Sequence, residues 1–183
     1  FGYGWRFEMR DTDLRTTVAK TGDEENLIYN GYRSGDRVYV TLPGGKREGF
    51  TFAPRPAPKY RGSFLGIFEA HFTPDPGVTN TLTVESFDLG VTVDGEMISY
   101  GDGIPYNPAS SAFGGTFYLT TQDGVAYEID GDSGDLRCLS DTNGNTLTFT
   151  DNGIISSTGQ SISFERNPAG RITAVVDPMG KRI

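Results

Sequence analysis

The chain has 183 residues, enough for one substantial hydrophobic core, and its 25 glycines and 10 prolines suit short extended segments broken by turns. The formal charge is −8, and residues 62–136 carry twelve acids and no Lys or Arg, which argues against a nucleic-acid backbone as partner. No apolar run approaches the ~20 residues of a membrane-spanning helix and no window holds a 3.6-residue apolar period, so the expected fold class is all-β.

The chain opens on Phe1-Gly2-Tyr3-Gly4-Trp5, aromatics spaced by glycines, with Trp5 expected as a core anchor. It starts without Met or a charged-then-apolar leader, so a longer polypeptide is expected around it. Thr16-Thr17-Val18 is strand-like, and an acidic turn at residues 22–26 leads into an expected strand Asn26-Leu27-Ile28-Tyr29. A hairpin is predicted from residues 36–42 and 48–52 across Pro43-Gly44-Gly45-Lys46. This turn lacks the spacing of a phosphate loop and no helix follows it.

Ala53-Pro54-Arg55-Pro56-Ala57-Pro58 cannot sit in a central strand and reads as an extended connector or edge. Strand-like alternation follows at residues 63–71 and 81–93, then a loop over 101–115 whose Gly and Pro forbid regular structure. From Thr116 the chain becomes a run of short strands and Gly-bearing turns. Three blocks are therefore expected within one continuous unit: 1–52, an N-terminal hairpin block; 53–115, a Pro/Gly-rich elaboration; and 116–183, hairpin repeats.

Within the last block, Gly134-Asp135-Leu136-Arg137-Cys138-Leu139-Ser140-Asp141-Thr142-Asn143-Gly144 recurs 36 positions later as Gly170-Arg171-Ile172-Thr173-Ala174-Val175-Val176-Asp177-Pro178-Met179-Gly180. Both read G-x-[LI]-x-x-[LV]-x-D-x-x-G, and a fixed internal period marks a repeat architecture. Gly134 and Gly170 suit positive φ, Leu136, Leu139, Ile172 and Val175 supply apolar side chains, and Asp141 and Asp177 can bond the amides of turns that close on Gly144 and Gly180. The apolar spacing of three breaks period-two alternation, so either a bulge or burial on both faces is required.

Phe164-Glu165 through Gly170-Arg171-Ile172, Val175 and Asp177-Pro178-Met179-Gly180 resembles the RHS/YD repeat, and Tyr127-Glu128-Ile129-Asp130 with Gly134 to Gly144 is similar to the unit that opens such arrays. The resemblance covers residues 116–183 best, 1–52 weakly and 53–115 hardly at all. The literal Tyr-Asp is Phe164-Glu165 in one copy and is split between Tyr127 and Asp130 in the other. It implies antiparallel β-hairpin repeats forming part of an extended, curved sheet, in a shell that encloses a C-terminal cargo or toxin. The protein would be secreted or at the cell surface, and its partners would be the remainder of the same polypeptide.

No constellation in the sequence points to catalysis, a cofactor or a metal. His71 is the single histidine and reads as structural, with no G-x-S-x-G nucleophile elbow in the chain. Cys138 reads as an inert thiol in a repeat strand. Asp130, Asp132, Asp135 and Asp141 stand one position out of register for a calcium loop. The acidic stretch 62–136 reads as a solubilising surface, with a calcium site or a basic partner as the other reading. The alternative function is a carbohydrate or cell-surface binding β-module, with Tyr100, Tyr106 and Phe113 stacking on a cell-surface glycan.

Overall fold

A computed structural model describes residues 11–60 and 66–183. The expectations for Trp5 and its aromatic neighbours, and for the start of the 63–71 segment, lie outside the described residues. The protein is all-β and antiparallel, and its described residues build three sheets. The first contains β1 (Asp13–Thr16), β2 (Arg37–Thr41), β3 (Arg47–Phe52) and β6 (Phe72–Pro74), in that order. A small sheet is formed by β4 (Arg55–Pro56), β5 (Phe68–Glu69), β8 (Leu89–Val91) and β9 (Met97–Ser99). The large sheet begins at β7 (Thr81–Val84). It continues in chain order through β10 (Thr116–Thr120), β11 (Ala126–Asp130), β12 (Leu136–Ser140), β13 (Thr146–Thr150), β14 (Gly153–Ser156), β15 (Ser161–Arg166) and β16 (Ile172–Val176).

Period-two patterning places the core. Val38 and Val40 of β2 and Phe50 and Phe52 of β3 are fully buried, while Arg37, Tyr39 and Thr41 point away from them. The expected hairpin across residues 43–46 forms, with Gly44 and Gly45 at φ +91° and +84°. The Pro-rich connector becomes the two-residue edge strand β4, where missing amides cost no ladder bonds. Residues 53–115 are the stitching between the other two blocks, since they add β6 to the first sheet and β7 to the large one.

Aromatic rings join the sheets. Phe52 lies 5.4 Å from Phe72, and Phe72 lies 6.0 Å from Phe117 of β10. Tyr32 meets Phe52 edge-on at 5.3 Å, and Tyr106 meets Phe113 at 4.9 Å. All of these belong to one cluster with Leu82, Leu89, Leu119, Ile129 and Leu136. Each such side chain contributes ~1.5–3 kcal/mol on burial.

Several sequence expectations are corrected. Residues 26–29 do not form a strand: Glu24–Asn26 is a 3-10 turn, and Leu27 follows at φ +62° with its side chain half exposed. Glu24 accepts from the Thr21 amide at 2.7 Å, and this local acid-to-amide bonding outcompetes β pairing. The first strand ends at Thr16 instead of running through Val18. The 81–93 segment divides into two strands that join different sheets. In the 101–115 loop, Ser111–Phe113 is a short 3-10 turn capped by the Ser110 hydroxyl.

Candidate functional site

The repeated motif corresponds to one strand framed by two turns, β12 in the first copy and β16 in the second. Gly134 and Gly170 have φ of +77° and +74°, and Gly144 and Gly180 both have φ of +81°. Leu136 is fully buried, whereas Leu139, Ile172 and Val175 are half-buried.

The open choice between a bulge and two-face burial resolves as a bulge, in the same place in both copies. Glu128 pairs with Cys138 but Ile129 pairs with Leu136, which leaves Arg137 as the extra residue. Glu165 pairs with Ala174 but Arg166 pairs with Ile172, which leaves Thr173 in the equivalent position. One inserted residue restores the apolar side chains to a single face despite their spacing of three. Arg137 uses its outward position to reach Thr116 Oγ1 at 3.0 Å and to pair with Asp130.

The amide bonds of the turn that closes each motif are also repeated. Asp141 Oδ1 accepts from the amides of Asn143 (2.8 Å) and Asn145 (2.9 Å). Asp177 Oδ1 accepts from Met179 (2.9 Å) and Lys181 (2.8 Å). Between the copies, Asn167 does the same for Ala169 and Arg171, both at 3.0 Å. In each turn the first residue also takes the glycine amide on its carbonyl and gives its own amide to the carbonyl four positions on. Leu42, Thr92, Thr121 and Ser156 open turns with that same backbone pattern, closing on Gly45, Gly95, Gly124 and Gly159. Gly-bearing turns were expected from the sequence, but the pattern they share was not. Its signal was a polar residue three positions before glycine, absent only at Leu42.

Hydrogen bonding to Asn145 holds the Asp141 carboxyl below its ordinary value. Burial pushes Asp130 up, but the Ser133 and Asp132 amides and Arg137 outweigh it and hold that carboxyl low as well. Asp130 is thus committed to its own turn and to Arg137. Among the described residues, no group of three or more His, Cys, Asp or Glu is arranged to hold a metal ion.

The other singled-out residues are dispersed. Cys138 is half-buried between Glu128 and Thr148, and burial, followed by the Glu128 charge, raises its thiol. His71 lines a groove beside β7 with Glu69 and Glu85. Tyr106 and Phe113 are core residues unavailable for stacking on a sugar, while Tyr100 is 49% exposed. Among the described residues no helix is long and apolar enough to cross a membrane.

The acidic stretch 62–136 is answered by the basic N-terminal third. Lys20 pairs with Asp132, Arg33 with Asp94, Arg37 with Asp75, Arg55 with Glu69 and Lys59 with Asp88. The charge segregation along the chain therefore folds back on itself.

The chain matches no family model, no curated protein and no solved structure.

Proposed function

We propose that the chain is a non-catalytic wall segment of an RHS/YD-repeat shell, which encloses a C-terminal cargo or toxin in a secreted or cell-surface protein. The observation that carries this reading is the identity of the two repeat strands, which share a positive-φ glycine, a one-residue bulge and an Asp-closed turn. Repetition at this level describes a unit meant to be stacked.

Two further features support it. Leu119, Tyr127, Leu139 and Leu147 lie in register across four strands, and their shared apolar face continues to Phe149, Ile154, Phe164 and Val175. On this face Leu119, Phe149 and Ile154 are buried, while Tyr127, Leu139, Leu147, Phe164 and Val175 are half-buried, as in a wall turned to enclosed material. Beyond β16 the chain turns at Asp177 and Ile183 exchanges hydrogen bonds with Val175 at 2.8 and 3.0 Å, so the β16 edge already accepts a further antiparallel strand. Of the three rings named for the carbohydrate-binding alternative, Tyr100 alone is exposed.

Electron cryomicroscopy of the longest native polypeptide carrying this sequence tests the reading. Further hairpins joined to β16 and closing around a C-terminal segment are expected. A β16 edge facing solvent, with nothing enclosed, would overturn it.

A further inference from the structure

The opposite end of the large sheet holds a groove of about 400 Å³, lined by Thr81 to Ser86 on one wall and by Glu69 to Phe72, with Arg55, on the other. That volume lies within the range of ligand-binding clefts. Among the described residues β7 is the end strand there and pairs only with β10.

The direction of the β7 peptide groups follows from the ladder. Thr121 donates to the Val125 carbonyl across the β10–β11 turn, so alternate residues Leu119 and Phe117 also face β11. Tyr118 and Thr120 then face β7, opposite Thr83 and Thr81. Gln122, on that same side, donates to Asn80 Oδ1 at 3.2 Å. Leu82 and Val84 are left with their amides and carbonyls aimed away from β10, toward the groove.

Among the described residues nothing bonds to these groups, although Leu82 is only 3% exposed. Buried backbone polar groups in native proteins are nearly always paired. Charge selects the occupant. Glu69 is held by Arg55 at 2.7 Å, while the exposed Glu85 has no cation among the described residues.

We propose that the β7 edge is a strand-acceptor site, at which an extended peptide segment carrying a Lys or Arg adds as a ninth strand, bonding to Leu82 and Val84 and pairing with Glu85. The hydroxyls of Thr81 and Thr83 stand at the rim, and the groove accepts the alternate side chains of the added strand.

The probes are acetylated, amidated hexapeptides of alternating threonine and valine with one lysine at either end, titrated into the 183-residue chain and followed by amide NMR. Leu82 and Val84 amides are expected to shift and to gain exchange protection, while those of Thr81 and Thr83, already bonded to β10, change little. Replacing the lysine by glutamate should weaken binding roughly two- to ten-fold. Glu85→Gln, at an exposed position, should narrow that difference, and N-methylation of alternate peptide amides should abolish the protection. Unperturbed Leu82 and Val84 amides at millimolar peptide, or equal binding of the lysine and glutamate peptides, would overturn the proposal. Protection appearing on raising protein concentration alone would identify a second copy as the occupant and also overturn it.

Discussion

Glu48 is a carboxylate in the core, 1% exposed at the start of the buried run of β3. Asn80 Nδ2 donates to it at 2.8 Å, and Asn80 in turn accepts from the Gln122 amide, so one side chain ties the first sheet to the β10–β11 turn. Lys46 Nζ lies 2.6 Å from Oε1 outside hydrogen-bonding geometry and supplies charge rather than a directed bond. Glu48→Ala leaves Asn80 buried with an unused donor, and denaturant unfolding is expected to show a loss of roughly 2–4 kcal/mol, against about 1 kcal/mol for Glu48→Gln. Equal losses for both would remove the hydrogen bond from the explanation. Asp141 carries the acid response of its turn. Its bonds to Asn145 and Asn143 lower the folded-state value beneath the ordinary 3.8. Its contribution is therefore full above the unfolded value and disappears as pH falls through the folded one. The amide shifts of Asn143 and Asn145 should titrate with a midpoint below 3.8, and a midpoint at or above it would contradict the bonding described. Asp141→Asn should keep the turn and lose the titration, because Asn167 already forms the same pair of bonds without a charge.

At the level of elements, equivalent glycines of the two repeats have different neighbours. Gly170 has open space where a Cβ would go, so Gly170→Ala is charged only for the left-handed backbone, about 1 kcal/mol. At Gly134 a Cβ would stand 2.7 Å from the Leu14 amide nitrogen, and Thr12 donates to the Gly134 carbonyl at 2.7 Å. Gly134→Ala must therefore also push β1 away, and thermal unfolding should show it to be the more damaging variant by at least about 1 kcal/mol. Equal effects would mean that β1 yields freely. The contrast marks what could be read in the sequence. The glycines and the Asp-closed turns were legible, and the apolar spacing of three narrowed the strand to a bulge or two-face burial, because each is set by residues a few positions apart. Docking of β1 on one repeat alone was not, since it joins residues more than 100 positions apart. The failed strand at residues 26–29 has the reverse cause: Leu27 and Ile28 look apolar enough, but bonds from Glu24 to its neighbours fix the turn first.

Across the whole molecule, the acidic stretch showed the same blindness to distance. Its composition was plain, but the pairing of Asp75, Asp94 and Asp132 with arginines and a lysine from the first 61 residues emerges only on folding. The pairs of Asp94 and Asp132 are exposed and contribute little each, and that of Asp75 is half-buried, so together they orient the blocks more than they hold them. What holds them is the shared core: Phe117, Leu119, Ile129 and Leu136 of the repeat sheet are sealed in one cluster with Phe52 and Phe72 of the first. The repeat strands beyond β12 depend on that sealed end, because β15 and β16 are composed mostly of exposed or half-buried residues. Residues 116–183 produced alone would uncover the faces of β10, β11 and β12, at ~25 cal/mol for each Å² of apolar surface returned to water. The fragment is expected to lack exchange protection at Leu119 and Ile129 and to unfold without a sharp denaturant transition, whereas the intact chain protects both amides and unfolds cooperatively. A fragment with a steep transition and those amides protected would show that the repeat sheet is independently stable, and that the first two blocks lean on it instead of sealing it.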